Sequence, residues 1–393
     1  MRAGNLVEAL AAGWQVHLAV INVAGARAQK LSPAIAAHVE EWTELSGPEL
    51  LDPAYARFLR IPPGPERPAG ALAFGRPLDV PYRPELVAER VFHAFPGVNF
   101  DAVFVMRSYM AAAAAQFLTA TPRPMIVLDA DDDDVEAHRR FGALYTARND
   151  AFGAALESVA ARLYAAWEQE WLPQFDLVFA ASETDALRMA GRVPDALFDV
   201  IPNVVRAPER RSANTVAQRD IPMLMVGNMS YLPNAEGADF FVRQVLPHIR
   251  DRAVDSAAVV IAGSDPAPDV TALAEVDGVT VAANPPDIEP LYSRARLVVV
   301  PIRAGGGTRL KIIEAFAMGV PVVSTRLGAE GLAVEHGTHL LLADEPTEIA
   351  DACVRLLHDD ALCTRLADAA QALQRDQYSL DALRTRMSAA ATA

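Results

Sequence analysis

Three consecutive glycines, Gly305, Gly306 and Gly307, are followed by Thr308, Arg309 and then by Lys311 and Glu314, three residues apart. Glycines let a backbone approach a ligand closely and leave amide groups bare. A helix starting just after them adds the partial positive charge of its first turn. On that helix Leu310, Ile313 and Ala317 make a core stripe, while Lys311 and Glu314 share another face. The set suits a nucleoside diphosphate. The amides of the glycines and Thr308 meet phosphate oxygens, Lys311 and Arg309 neutralise charge growing on a leaving phosphate, and Glu314 accepts from ribose hydroxyls. From these residues alone, an ordinary glycine turn with a surface Lys311–Glu314 pair stays equally open. Lys30 and Lys311 are the only lysines in a chain whose basic residues are otherwise all arginine, so retention of one here is informative.

A second concentration of chemistry is Asp129-Ala130-Asp131-Asp132-Asp133-Asp134. It admits three readings: capping of a helix that begins near Val135, an acceptor-binding edge including Asp129 and Asp132, or a divalent-cation site. Arg107 and Ser108, just after the apolar run Ala102 to Val105, face the same choice between an acceptor or phosphate contact and a plain helix start. His336 and His339 share one turn without a third ligand, which argues against a metal there. The expectation is a site without metal. Gly227 and Asn228 follow the apolar run Met223 to Val226, at the end of a strand where open α/β sheets bind ligands.

The segment Leu297 to Thr325 resembles the donor-site signature of group 1 retaining glycosyltransferases, in the branch written P-x-x-x-G-G-G-T-R-x-K-x-x-E-A-x-A-x-G-x-P-V-V-S-T. The resemblance implies an α/β fold of GT-B type, with two facing Rossmann-like, doubly wound domains and a cleft between them. It implies a hexosyltransferase-like, metal-independent enzyme that moves a sugar from a nucleotide-diphosphate donor to a hydroxyl, with retention. The leaving phosphate would itself help deprotonate the acceptor. The nucleotide sugar is then a co-substrate and no cofactor is expected. The acceptor would be a glycan, a lipid-linked or a small-molecule alcohol, in cell-envelope or exopolysaccharide assembly. Glu314 is implied to hold the donor ribose. Gly227, Asn228, Tyr231, Pro233 and Asn234 resemble the opening of the donor domain. The Gly328-Ala329-Glu330-Gly331-Leu332 loop resembles one facing the cleft, with Glu330 on the donor side, and Asn284 to Asp287 falls where base contacts lie. The wider family places a basic pair near Gly227; its absence here shifts that duty to Arg309 and Lys311. The family also often carries a sugar-contacting glutamate where this chain has Gly306, so sugar recognition must come from elsewhere.

Around these residues the chain alternates short apolar runs with amphipathic segments, as doubly wound domains do. Strands are expected at Val16 to Ile21, Ala102 to Val105, Met125 to Leu128, Leu177 to Ala180 and Val200 to Ile201. A second series falls at Met223 to Val226, Ala258 to Ala262, Val279 to Val281, Leu297 to Val300 and Val322 to Ser324. The prolines of Ile61-Pro63, Pro65 to Pro68 and Pro81 to Pro84 suggest an irregular surface excursion, Glu136 to Gln174 is a long, alanine-rich helical segment, and Asp360 to Ala390 reads as two helices. Polar residues 206–220 read as a linker between an acceptor domain, 1–205, and a donor domain, 221–375. A last helix, 376–393, is placed to pack back on the first domain. Residues 1–6 resemble the family's first helix, which normally follows a strand and a glycine loop. Neither precedes it, and loss of that central strand would leave a hole in the core, so either the start is set too late or another segment fills the position. That departure and Gly306 motivate two rival readings: a catalytically degenerate binding protein and a sugar-nucleotide epimerase.

Bulk properties narrow the class. The 393 residues suffice for two domains, and 52% hydrophobic content supports large cores. The formal net charge of -15 is spread over both halves and excludes a polyanion platform, so no nucleic-acid partner is expected. Two cysteines, Cys353 and Cys363, fit a reducing compartment. No apolar run is long enough to span a bilayer. The expected location is cytoplasmic, with peripheral contact at the inner face of the membrane.

Overall fold

In the computed structural model, which describes residues 2–23, 31–208, 216–252 and 257–390, every strand pairing is parallel. Lys30 and residues 209–215 of the expected linker lie outside the described residues. The strands are β1 (His17–Asn22), β2 (Glu41–Ser46), β3 (Ala102–Met106), β4 (Met125–Asp131), β5 (Leu177–Ala180) and β6 (Phe198–Val200). After them come β7 (Ile221–Val226), β8 (Val259–Gly263), β9 (Val279–Ala283), β10 (Ala295–Val300), β11 (Val322–Ser324) and β12 (Leu341–Leu342). They form sheets of order β1-β2, β3-β4-β5-β6 and β12-β11-β10-β7-β8-β9. The chain divides into two compact units. One comprises Met1–Pro202, Gly305–Gly307 and Arg384–Ala393; the other comprises Asn203–Ala304 and Thr308–Leu383.

The six-stranded sheet lies wholly in the second unit, and its sequence explains it. On β10, Leu297 and Val299 enter one core cluster with Met223, Val259 and Ile261. Their neighbours Val298 and Val300 enter a second cluster with Leu224, Ile312 and Phe316. Successive side chains on a strand point to opposite faces, so a strand covered on both faces must be apolar throughout. Each such fully buried side chain contributes about 1.5–3 kcal/mol by leaving water. The helix Leu310–Ala317 covers one face with Ile312 and Phe316 and turns Ile313 and Ala317 toward Val205 and Tyr378.

In the first unit, among the described residues, β1 pairs only with β2 and β3 only with β4. Strand β2, Glu-Trp-Thr-Glu-Leu-Ser, is absent from the sequence expectation because its residues are exposed or half-buried and form no apolar run. The helix Arg2–Ala11 is anchored by its first residue. Arg2 is buried, donates to both carboxylate oxygens of Asp129 at 2.5 and 2.8 Å, and reaches the Ile201 carbonyl at 3.0 Å.

The proline-rich stretch is only in part the irregular surface excursion expected. Residues 61–66 are bends and turns, exposed or half-buried. Pro68 and Pro84 sit in the first turns of the helices Arg67–Phe74 and Pro84–Phe92, where a missing N–H costs nothing. Val80 and Tyr82 between them are fully buried. The long helical segment consists of two helices, Asp134–Ala147 and Ala151–Trp171, broken where Asn149 adopts φ 60° and Asp150 caps the second through the Gly153 amide. The two C-terminal helices are Asp360–Gln377 and Leu380–Ala390. Within the first unit, Arg384 on the last helix donates to Glu8 at 3.0 Å.

Candidate functional site

A cavity of about 250 Å3 opens in the second unit at the carboxyl end of β7. Gly227, Asn228, Thr308, Arg309, Lys311 and Glu314 line it, together with Tyr231 and Asn234. Strand β7 and the segment after it deliver Gly227, Asn228, Tyr231 and Asn234, and the turn and helix after β10 deliver the rest; β7 and β10 are neighbours in the sheet. Gly305, Gly306, Gly307 and Glu330 are not among the lining residues. Gly305 and Gly307 have φ of 106° and 69°, left-handed values that favour glycine, and all three glycines group with the first unit.

Lys311 donates from Nζ to Asn234 Oδ1 at 2.6 Å. Asn234 in turn donates from Nδ2 to the Asn228 carbonyl at 2.7 Å. A Cβ at position 227 would lie 2.6 Å from Asn234 Nδ2 and 2.9 Å from Lys311 Nζ, so any larger residue would push these two side-chain ends aside. Burial pushes the Lys311 ammonium down to about 7; the nearby Arg309 charge adds to that and Glu314 opposes it. Glu314 accepts from the Tyr292 hydroxyl at 2.9 Å. Tyr292 is 1% exposed, and its phenol is held well above its ordinary range by burial and by the Glu314 carboxylate. Arg309 caps the helix with backbone alone, and its Nη2 donates to the Ala304 carbonyl at 3.4 Å. Thr308 Oγ1 is buried with no hydrogen-bond partner among the described residues. Asn228 Oδ1 accepts from the Ser230 amide and hydroxyl, closing the turn after β7.

Asn284, at the end of β9, has φ 49° and accepts from the Asp265 amide through Oδ1. It therefore holds the β8 loop rather than standing free. Neither Tyr292 nor the contact of Asn234 with Lys311 was expected from sequence. No local signal marks Tyr292, whereas the Pro233-Asn234 pair stood out only as part of a resemblance.

In the first unit the acidic run is neutralised residue by residue. Asp129 is held by Arg2. Asp131, at φ 63° beside a register shift in β4, faces Arg107 at 3.0 Å and Arg2 at 3.4 Å. Asp132 meets Arg107 at 3.3 Å. Asp133 caps the helix Asp134–Ala147 through the Glu136 amide and pairs with Arg192 at 2.7 Å. Asp134 accepts from Ser108 Oγ at 2.5 Å, and burial raises its carboxyl well above the usual range. Ser108 and Asp129 are at most 1% exposed, whereas the Arg107 and Asp132 side chains are 40% and 36% exposed. Among the described residues no group of three or more His, Cys, Asp or Glu is arranged to hold a metal ion. His336 and His339 instead accept from the backbone amides of Leu342 and Glu335. Cys353 and Cys363 are both buried and unbridged.

Comparison with known proteins places this architecture. Residues 221–359 match the model of the family described as Glycosyl transferases group 1. The D-inositol 3-phosphate glycosyltransferase of Corynebacterium jeikeium is 32% identical over 152 residues, 35% of this chain and 36% of that protein. The matched stretches span about a third of the length of the curated relatives, 34% and 36%. HepE of Anabaena, crystallised with UDP and glucose, is similar at TM-score 0.64 and 15% identity, over 99% of this chain and 95% of its own. Sucrose-phosphate synthase of Thermosynechococcus elongatus is similar at TM-score 0.64 and 18% identity, over 96% and 98%. The chain thus has the α/β fold with parallel sheets of the GT-B glycosyltransferases. No helix among the described residues is long and apolar enough to cross a membrane.

Proposed function

We propose that the chain is a glycosyltransferase that binds a nucleoside-diphosphate sugar in the β7–β10 cavity and transfers the sugar to an alcohol with retention. One observation carries this reading: Lys311, Arg309, Thr308 and Glu314 converge on one cavity at a strand end within the family-matched domain. In the proposed complex the Lys311 and Arg309 charges meet the diphosphate and stabilise the leaving group, a site for charge that develops in the transition state. Glu314, oriented by Tyr292, accepts from the ribose hydroxyls. The leaving phosphate takes the acceptor proton as the new glycosidic bond forms on the same face, so no protein nucleophile is needed. The UDP bound in the Anabaena HepE structure supports a nucleotide donor. The curated Klebsiella pneumoniae relative, 25% identical over 131 residues and described as lying in a cps region, supports glycan assembly as the setting. The alcohol acceptor is assigned to the side bearing Arg107 and Asp132, the exposed members of the charged group at the ends of β3 and β4.

The test is a titration with UDP-, GDP- and ADP-sugars, read by nucleotide release with sugar alcohols and glycans as acceptors. Lys311→Ala should weaken the productive donor by about 2 kcal/mol, roughly thirtyfold. Unchanged kinetics in that variant would sink the donor-site assignment, and an inverted anomeric centre in the product would sink retention.

A further inference from the structure

Resting on the donor-site reading above, we infer that Asn234 is a positioning residue for Lys311: its side-chain amide holds the ammonium against Gly227 and turns it toward the diphosphate without neutralising it.

The hydrogen bonds make the orientation of the amide unambiguous. Asn234 Nδ2 is committed to the Asn228 carbonyl at 2.7 Å, and an ammonium can only donate, so Oδ1 must be the atom that receives Lys311 Nζ at 2.6 Å. Asn234 sits in the first turn of the helix Leu232–Phe240, behind Pro233, on a segment fixed by the Asn234 amide donating to the Tyr231 carbonyl. The bare Cα of Gly227 completes the slot on the third side. An ammonium has three N–H donors. One is taken by Oδ1, which leaves two for phosphate oxygens. A neutral acceptor is what this task needs. A carboxylate at 234 would pair with the lysine and repel the diphosphate, and an apolar side chain would leave the long lysine stem free to choose other rotamers.

The groups that face Lys311 are Arg309 from its own turn, Glu314 from its own helix, and Tyr231 and Asn234 from the segment after β7. From the helix Glu289–Arg294, the Tyr292 hydroxyl touches the Lys311 carbonyl at 3.4 Å and is committed to Glu314. Asn234 is therefore the contact through which the lysine charge is tuned without altering the acid beside it.

Lys30 and Lys311 being the only lysines, carbon-13 labelling at lysine Cε yields two signals, and Lys30→Arg leaves only that of Lys311. The titration of this signal is compared in the intact chain, in Asn234→Asp and in Asn234→Leu, with Asn234→Ser as a smaller replacement should the leucine variant not fold. The expected wild-type midpoint is about 7. Asn234→Asp should raise it by about one pH unit or more, and Asn234→Leu or Asn234→Ser should lower it. UDP, GDP and ADP affinities at pH 7 should fall about tenfold in all three variants, the loss expected of one charge-assisted hydrogen bond. Midpoints that stay at the wild-type value in folded variants would overturn the positioning role, since a merely structural residue would change melting without moving them. Failure of all three nucleotides to bind the wild-type chain would instead overturn the donor reading, and the lysine titration would still decide the role of Asn234.

Discussion

Lys311 illustrates how a single residue is made useful by an unfavourable place. Its folded pKa lies below the ordinary lysine value, so the native chain holds fewer protons than the unfolded chain between pH 7 and about 10.4. The destabilisation is therefore full below pH 7 and is relieved as pH rises toward 10. A bound diphosphate reverses the balance by favouring the ammonium, so donor binding near pH 8 should be accompanied by proton uptake. Calorimetry in two buffers of different ionisation enthalpy measures that directly, and a binding enthalpy independent of buffer would contradict it. Tyr292 makes the matching case for Glu314. Tyr292→Phe removes the hydroxyl that orients the carboxylate and should weaken UDP by about 1 kcal/mol. It should weaken 2′-deoxy-UDP less, because that ligand already lacks one ribose contact. Equal losses for both nucleotides would show that Glu314 does not read the ribose.

Elements explain the acidic run. Residues 129–134 have the composition of a cation site, and β4 and the helix after it give these carboxylates other partners. The helix start needs a cap, which Asp133 supplies, and Arg192 at the end of the helix Glu183–Arg192 crosses to the same residue. Arg192 also lies 3.0 Å from Glu168, which is fully buried in the helix Ala151–Trp171. Burial outweighs this pairing and raises Glu168 to about 7. A carboxyl raised in the folded state stabilises fully below its unfolded value, near 4.5, and loses that contribution as pH rises through 7. Stability measured by urea unfolding should accordingly fall by up to about 3 kcal/mol from pH 4.5 to pH 8 through this group. Glu168→Gln should flatten that part of the curve, and a variant with the same slope as the wild type would refute the assignment. The helix break at Arg148-Asn149-Asp150 belongs to this scale as well. Alanine content marks the whole segment as helical, and within it an αL asparagine followed by a capping aspartate is a stop and a start in three residues.

At the scale of the molecule, each unit has apolar clusters of its own. The formal charge of -15 repels polyanions. The chain should pass unretained through a heparin column at physiological salt, and firm retention would expose a basic face that the charge distribution does not contain. The strand series and the helix Leu310–Ala317 were legible in the linear sequence, because a strand buried on both faces has to be apolar along its whole length and an amphipathic helix has to repeat near 3.6 residues. Strand β2 was not, for the converse reason: it is half-exposed and carries no such run. The identity of the charged residues at 309, 311 and 314 was also plain from sequence, since glycines before a helix restrict what the next residues meet. Their partners were decided only by tertiary structure. Asn234 lies 77 residues from Lys311 and Tyr292 lies 22 from Glu314. What joins them is the order β12-β11-β10-β7-β8-β9, which sets β7 against β10 and brings two distant strand ends to one cavity. Pairings of that kind depend on which strands become neighbours, a property of the folded sheet that no local spacing along the chain encodes.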